Sequence, residues 1–600
     1  MISISFTGLN MPFFIYKMKV SDYVVEFLKE RNLTSLFTIT GGFAMHLNDS
    51  FGHSTFNIYY QHHEQACGYA AVGYTKACNK PSVVCTTAGV AATNTISPCL
   101  VAYQDSIPVF FISGQVKSAE TIRKMNTSEM KLRHYAGADC DIISAVSSIT
   151  KFSHEITSVS EVPEVLIKAW DAMTTGRPGP VWLSIPVDIQ GMSIDALVPL
   201  RTVSKNPTQH VDLTEIYSLL QTSKRPLLLI GNGVKLGGCR NDLSIFLDKY
   251  SIPCVTTMLS SDLVETSHPL NCGKVGLLGD RYGNFTLQNC DLLISLGCRM
   301  AQGIVGYRAD WFAREAKVVY IDNDDNELAK TNINYSIKIN ADLKVFFNCF
   351  DCDVYDYSEW LKATSRWKNQ WIFELPPKDN ILNPYHVLNS LFLQSPSNKI
   401  TVASSGSIVT NLWHMLRVKT GDRFILSSQG DMGFEIPASI GAQLAEPSKL
   451  VISVLGEGSL QLNIQELQTI VQYKLPIKIL VFNNASYGAI SVTQENFFKT
   501  KFGVDSSSGL SFPDTEKIAN AYGIPYISSR SYDEVENTVQ TFLNSDGPVL
   551  LEVFCCIQSR YPRLHAMKND DGTFTNRPYE DMYPFMDRND FKREMITKII

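Results

Sequence analysis

Two short segments 27 positions apart carry side chains suited to holding a metal-bound diphosphate. Gly456-Glu457-Gly458-Ser459 closes the apolar run Leu450–Leu455, and Asn483-Asn484 closes the next run, Ile477–Phe482. Between them, Asn463-Ile-Gln-Glu-Leu-Gln-Thr-Ile-Val has the spacing of a connecting helix. Such a βαβ unit brings Glu457 and Asn484 to the carboxyl ends of neighbouring parallel strands. Glycines allow a ligand close to the backbone, a helix N-terminus attracts phosphate, and hard oxygen donors suit Mg²⁺. A lone Gly-Glu-Gly is an ordinary strand-to-helix turn; the Asn pair ending the next strand argues for chemistry.

Three further segments could serve the same site. Gln61-His62-His63-Glu64-Gln65 follows the apolar run Phe56–Tyr60 and opens a helical pattern, where a Glu ordinarily complements the helix dipole. Ser427-Ser-Gln-Gly430-Asp-Met432-Gly433-Phe joins flexible glycines to a thioether whose default role is core packing. Thr40-Gly41-Gly42-Phe-Ala-Met-His46 offers backbone N–H groups that could stabilise a developing oxyanion, and His46 reads as structural.

The elements that must position these residues recur in three blocks, each alternating short apolar runs with helical patterns. That is the signature of parallel α/β domains. At 600 residues the chain exceeds a single core, and about three or four domains is the natural expectation. The reading is an N-terminal extension over 1–17, domains over 18–190, 205–350 and 380–560, and a C-terminal tail over 561–600 that wraps a neighbouring surface. Linkers fall at 187–210, with Pro199 and Pro207, and at 376–384, with Pro376, Pro377 and Pro384.

Composition narrows the class. An apolar fraction of 44% and a charged fraction of 19% are those of a soluble globular protein. A net charge of −6 gives no footprint for nucleic acid or an anionic membrane. The 14 cysteines show no metal-ligand spacing, and this usage suits a reducing cytoplasm. No basic residue precedes the apolar stretch at Met11, Pro12 interrupts it, and no later stretch is long enough to span a bilayer.

Taken as a set, these segments resemble the thiamine-diphosphate enzymes, whose signature is Gly-Asp-Gly followed some way on by Asn-Asn. The resemblance implies Mg²⁺ ligation by Glu457, Asn484 and the backbone carbonyl of Ser486. Gly456, Gly458 and Ser459 would then cradle the diphosphate. It also implies that Glu64 is the carboxylate that activates the cofactor by hydrogen-bonding its pyrimidine ring. The carbonyl of Gly430 would accept the pyrimidine amino group, Met432 would wedge the two rings into a V, Gly41 and Gly42 would line the reacting face, and Gly89 would bind the cofactor near the pyrimidine. In such enzymes the cofactor's positive ring accepts the electrons released when a 2-keto acid loses CO₂.

The likeness runs over roughly 18–600 and has the domain order of the acetolactate (acetohydroxyacid) synthases: pyrimidine-binding, central, diphosphate-binding. Gly42-Phe-Ala-Met-His-Leu-Asn-Asp, Ser508-Gly-Leu-Ser-Phe-Pro-Asp and Glu580-Asp-Met-Tyr-Pro-Phe resemble a branch found among surface-polysaccharide genes. It implies joining the acyl unit of pyruvate to a second pyruvate, in a homodimer or tetramer with sites at the chain interface.

Departures from the family pattern leave alternatives open. Glu457 stands for the usual Asp and carries one more methylene. Thr87-Ala-Gly89-Val90-Ala-Ala-Thr93-Asn94 is bulkier than its counterpart, Gly137-Ala138-Asp139 replaces Phe-Gln-Glu, and Thr493 replaces a Trp. Another acceptor, such as a keto-sugar nucleotide, and a non-catalytic scaffold subunit therefore stand as the other readings. Gly231-Asn-Gly233-Val, Gly276-Leu-Leu-Gly279, Arg299 and Asp322 resemble positions that hold FAD in some members, whereas Arg299-Met-Ala-Gln departs from them. FAD stays open.

Overall fold

The computed structural model describes residues 16–196, 211–557, 566–568 and 571–600. Its frame is three six-stranded sheets, every pairing within them parallel. Runs such as Val109–Gln115, Val181–Pro186 and Leu292–Leu296 are buried along their whole length, as strands covered by helices on both faces must be.

Counting strands within each sheet in chain order, the first and third sheets share the order 2-1-3-4-6-5, while the central one runs 3-2-1-4-5-6. All three reverse direction beside their first strand. The loops on either side of that reversal leave a crevice at the carboxyl ends of the strands.

In the third sheet Gly456 lies opposite Phe482. One residue further on, the register sets Glu457 beside Asn483, so both loops leave the sheet at one end. The helix expected from Asn463 begins at Glu466 and runs to Gln472; a separate short helix covers Glu457–Gln461, and Asn463 lies in the turn between them. Its side-chain amide donates to the carbonyl of Gly433 at 2.7 Å, so the break serves a contact.

The first and third domains share one apolar core. Helix Glu64–Cys78 and helix Glu435–Ala445, each following the second strand of its sheet, cross at the closest approach backbones allow. A β-carbon on Gly73 would lie 2.2 Å from the carbonyl oxygen of Ala438, and one on Gly441 would lie 1.9 Å from that of Ala70. Glycine inside a helix costs about 1 kcal/mol relative to alanine, and here it admits the crossing.

Several boundaries differ from the expected ones. Tyr16–Lys19 is a strand paired with Ser193–Ala196, so the first domain starts at 16 and takes in the first part of the linker. Residues 1–15, Pro199 and Pro207 lie outside the described residues. Helix Ser358–Gln370 sets Trp360 and Trp367 into the central core, extending that domain past 350. The tail wraps the central domain of its own chain: Glu580 pairs with Arg314 at 2.9 Å, and Phe591 joins that core. All fourteen cysteines are free, and no helix among the described residues is long and apolar enough to cross a membrane.

Candidate active site

Strand Val451–Gly456 delivers Glu457 to the first position of a short helix. Gly458 must be glycine, since a β-carbon there would lie 2.3 Å from the Tyr487 ring. The Glu457 carboxylate accepts the backbone N–H groups of Asn484 at 3.2 Å and Ser486 at 3.0 Å. Its extra methylene is thus absorbed by folding back onto the Asn484–Ser486 turn. Burial pushes its carboxyl up to about 7, against the pull of those N–H groups. Asn484 Oδ1 and Ser486 Oγ are buried without a hydrogen-bond partner.

A buried carboxylate beside an orphaned amide oxygen is a donor set for a hard cation, since both offer oxygen. No three His, Cys, Asp or Glu side chains converge among the described residues.

Gly430 and Gly433 both have positive φ, +67° and +83°, which let the chain double back after the second strand. A β-carbon on Gly433 would strike Leu462 at 2.7 Å. Met432 between them is only half-buried. Ser459 lies in the cradle, but its hydroxyl donates to Glu435 at 2.6 Å and accepts the Gly433 N–H at 2.8 Å. The group that Ser459 can still turn to a phosphate is its backbone.

In the first domain Glu64 is the first residue of its helix, half-exposed, and its carboxylate accepts the Asn94 side-chain amide at 2.9 Å. Gly41 is extended, and a β-carbon there would lie 2.5 Å from Thr87. The Thr87 hydroxyl accepts the Phe43 N–H at 3.1 Å, tying the Gly41-Gly42 turn to the Thr87–Gly89 loop. Gly89, at φ +69°, presses on Ala138, whose carbonyl oxygen would be 2.6 Å from a β-carbon. Gly42 faces open space. His46 packs on Gly191 within its own domain, a structural position. Val90 is 81% exposed, and Thr493 lies exposed on helix Gly488–Phe498.

In the sequence Asn94 is only one member of its loop, and its role as a brace for Glu64 depends on the fold. Glu435 escapes the sequence reading, although a charge in the run Phe434-Glu435-Ile436-Pro437-Ala438 is a visible signal. Ser404 and Ser405, after the first strand of the third sheet, also reach this site; the Ser405 N–H donates to Glu435 at 3.2 Å.

Comparison with known proteins supplies the family. Residues 18–136 match the thiamine pyrophosphate enzyme N-terminal TPP binding domain, 213–349 the central domain of these enzymes, and 404–553 their C-terminal TPP binding domain. The chain is thus a thiamine-diphosphate-dependent enzyme with α/β domains. Acetolactate synthase isozyme 2 large subunit of Escherichia coli is 30% identical over 546 residues, 89% of this chain and 95% of that protein. Probable acetolactate synthase large subunit of Methanococcus aeolicus and acetolactate synthase large subunit of Lactococcus lactis are each 29% identical, over 89% of this chain and 92% of their own length. Within the class, the chain belongs to the acetolactate synthase-like family of carboligating enzymes.

Proposed function

We propose that this enzyme decarboxylates pyruvate and joins the resulting two-carbon acyl unit to a second pyruvate, giving 2-acetolactate and CO₂. The observation that carries the reading is the pair of half-sites. Glu64 is braced by Asn94 at the mouth of one sheet, and Glu457 meets the Asn484–Ser486 turn at the mouth of another. Thiamine diphosphate, when bound, supplies the electron sink for decarboxylation.

In this reading Glu457, Asn484 and the Ser486 carbonyl hold Mg²⁺, while Gly456, Gly458 and the Ser459 backbone receive the diphosphate. Glu64 holds and returns the proton at the pyrimidine end. Gly430 and Met432 orient the rings, and Gly41, Gly42 and Gly89 leave room for the keto acid.

The half-sites lie on different domains, and Val90, Met45 and Leu462 stand exposed near them. This supports a homodimer, or a tetramer built from it, in which one chain's Glu64 faces the partner subunit's diphosphate loops. Cytoplasmic residence accords with the free thiols. For FAD, the central sheet has its own crevice at the reversal between its first and fourth strands. There a β-carbon on Gly233 would meet Gly297 at 2.7 Å, leaving a floor of bare backbone. A cavity of about 720 Å³ lies over it, lined by Gly231, Met258, Gly297, Arg299 and Trp413. Its shape and place suit a dinucleotide.

A second acceptor is favoured by one feature: Gly137 and Ala138 are exposed and small where bulk would close the site. Incubation with pyruvate, thiamine diphosphate and Mg²⁺, with and without FAD, followed by mass spectrometry, tests the reading. Acetolactate from pyruvate alone supports it. CO₂ release without acetolactate turns it to another acceptor, and no CO₂ at all leaves the scaffold reading.

A further inference from the structure

Glu435 opens helix Glu435–Ala445 and is wholly buried. One carboxylate oxygen accepts the Ser405 N–H at 3.2 Å and the Ser405 hydroxyl at 3.3 Å; the other accepts the Ser459 hydroxyl at 2.6 Å. Ser459 in turn accepts the Gly433 N–H. Through this one side chain, loops after the first, second and third strands of the third sheet are tied together. The first and third strands flank the reversal in strand order, where the crevice opens.

Ser405 caps helix Gly406–Met415, and Ser459 stands two residues after Glu457 in the loop that meets the Asn484–Ser486 turn. Two loops from separate strands make one cradle only if their spacing is held. A buried carboxylate is costly to keep, and here its acceptors are spent on spacing those loops.

Resting on the thiamine-diphosphate reading above, we propose that Glu435 is a positioning residue for the diphosphate cradle: it locks the Ser405 and Ser459 loops at the separation the diphosphate needs. It does not touch the keto acid, so its loss weakens cofactor binding and leaves turnover by the loaded enzyme unchanged.

The test measures calorimetric affinity for thiamine diphosphate in the full-length protein at saturating Mg²⁺. It adds kcat and pyruvate KM at saturating cofactor, and the melting temperature without cofactor. Glu435→Ala should weaken cofactor binding by about tenfold or more, the effect of losing charge-assisted hydrogen bonds. Glu435→Gln, which still accepts from Ser405, should lose about a third as much on a logarithmic scale, and kcat and KM should hold in both. Ser459→Ala should weaken binding in the parent and cost clearly less in the Glu435→Gln background, because the part of its effect that runs through the contact with Glu435 is already lost there, while its contact with the Gly433 N–H is not. If Glu435→Ala does not fold, the Ser459 pair carries the same test. Unchanged affinity with a lower melting temperature would make Glu435 purely structural and overturn the assignment. A fall in kcat at saturating cofactor with affinity intact would overturn it too. Failure of the parent protein to bind thiamine diphosphate overturns the cofactor reading itself, whereas parent binding with indifferent variants overturns this assignment alone.

Discussion

The first and third domains use one strand order for opposite ends. In each, the helix after the second strand begins with a glutamate, Glu64 in one and Glu435 in the other. Glu64 is half-exposed and has a single side-chain amide on it, which leaves a carboxylate open to a ligand. Glu435 is sealed in and saturated by three donors, which leaves a brace. The topological position supplies a carboxylate at a crevice mouth; burial and partners decide whether it stays open or is sealed by its own chain.

The sharpest way to break this comparison is to remove the carboxylate proposed to handle the proton. Glu64→Gln should lower kcat by about 10²–10⁴-fold, the range for a lost general acid–base, with thiamine diphosphate affinity nearly intact. A kcat close to that of the parent would place the chemistry elsewhere. Next comes the crossing that holds the two domains together. Gly441→Val puts side-chain atoms where a β-carbon alone already lies 1.9 Å from a carbonyl oxygen. Overpacking of that kind costs about 1–3 kcal/mol or more, so thermal denaturation should show a clear loss, and an unchanged melting temperature would contradict the geometry.

The pH dependence separates the two glutamates further. Burial pushes the Glu435 carboxyl up to about 7 from 4.5. The folded state therefore binds the proton more tightly than the unfolded chain. Its stabilising share is full below pH ~4.5 and is lost as pH rises through about 7. Tighter proton binding of that size is worth on the order of 3 kcal/mol. Cofactor-free Glu435→Gln should then show a flatter fall in melting temperature between pH ~5 and ~8 than the parent; parallel curves would show that Glu435 keeps one protonation state. The smallest effect is expected from Asn94→Ala, which frees Glu64 without removing it. It should lower kcat by about tenfold, the worth of one hydrogen bond to a charged group, well short of the loss in Glu64→Gln; a kcat equal to the parent's would show that the brace is not needed.

Much of this is legible in the sequence because it is local. Runs such as Ser82–Thr86 and Lys317–Asp322 coincide with observed strands, since β-branched and apolar stretches bounded by turn residues have few alternatives. Gly456-Glu457-Gly458 and Asn484 can be paired from sequence because a single βαβ unit joins them and its handedness is fixed. The helix expected from Asn463 starts three residues later, because a tertiary contact to Gly433 holds Asn463 in a turn that apolar spacing does not show.

What the chain determined by itself, then, is a parallel α/β architecture and the residue types of a diphosphate–metal site, both carried by short-range pattern. The tertiary structure decided which carboxylate stays open and which is sealed. Asn94 lies 30 residues from Glu64, and Ser405 lies 30 from Glu435. Hydrogen bonds across such gaps leave no periodicity in the sequence, and burial, which sets a carboxyl's charge, exists only once the sheets have packed.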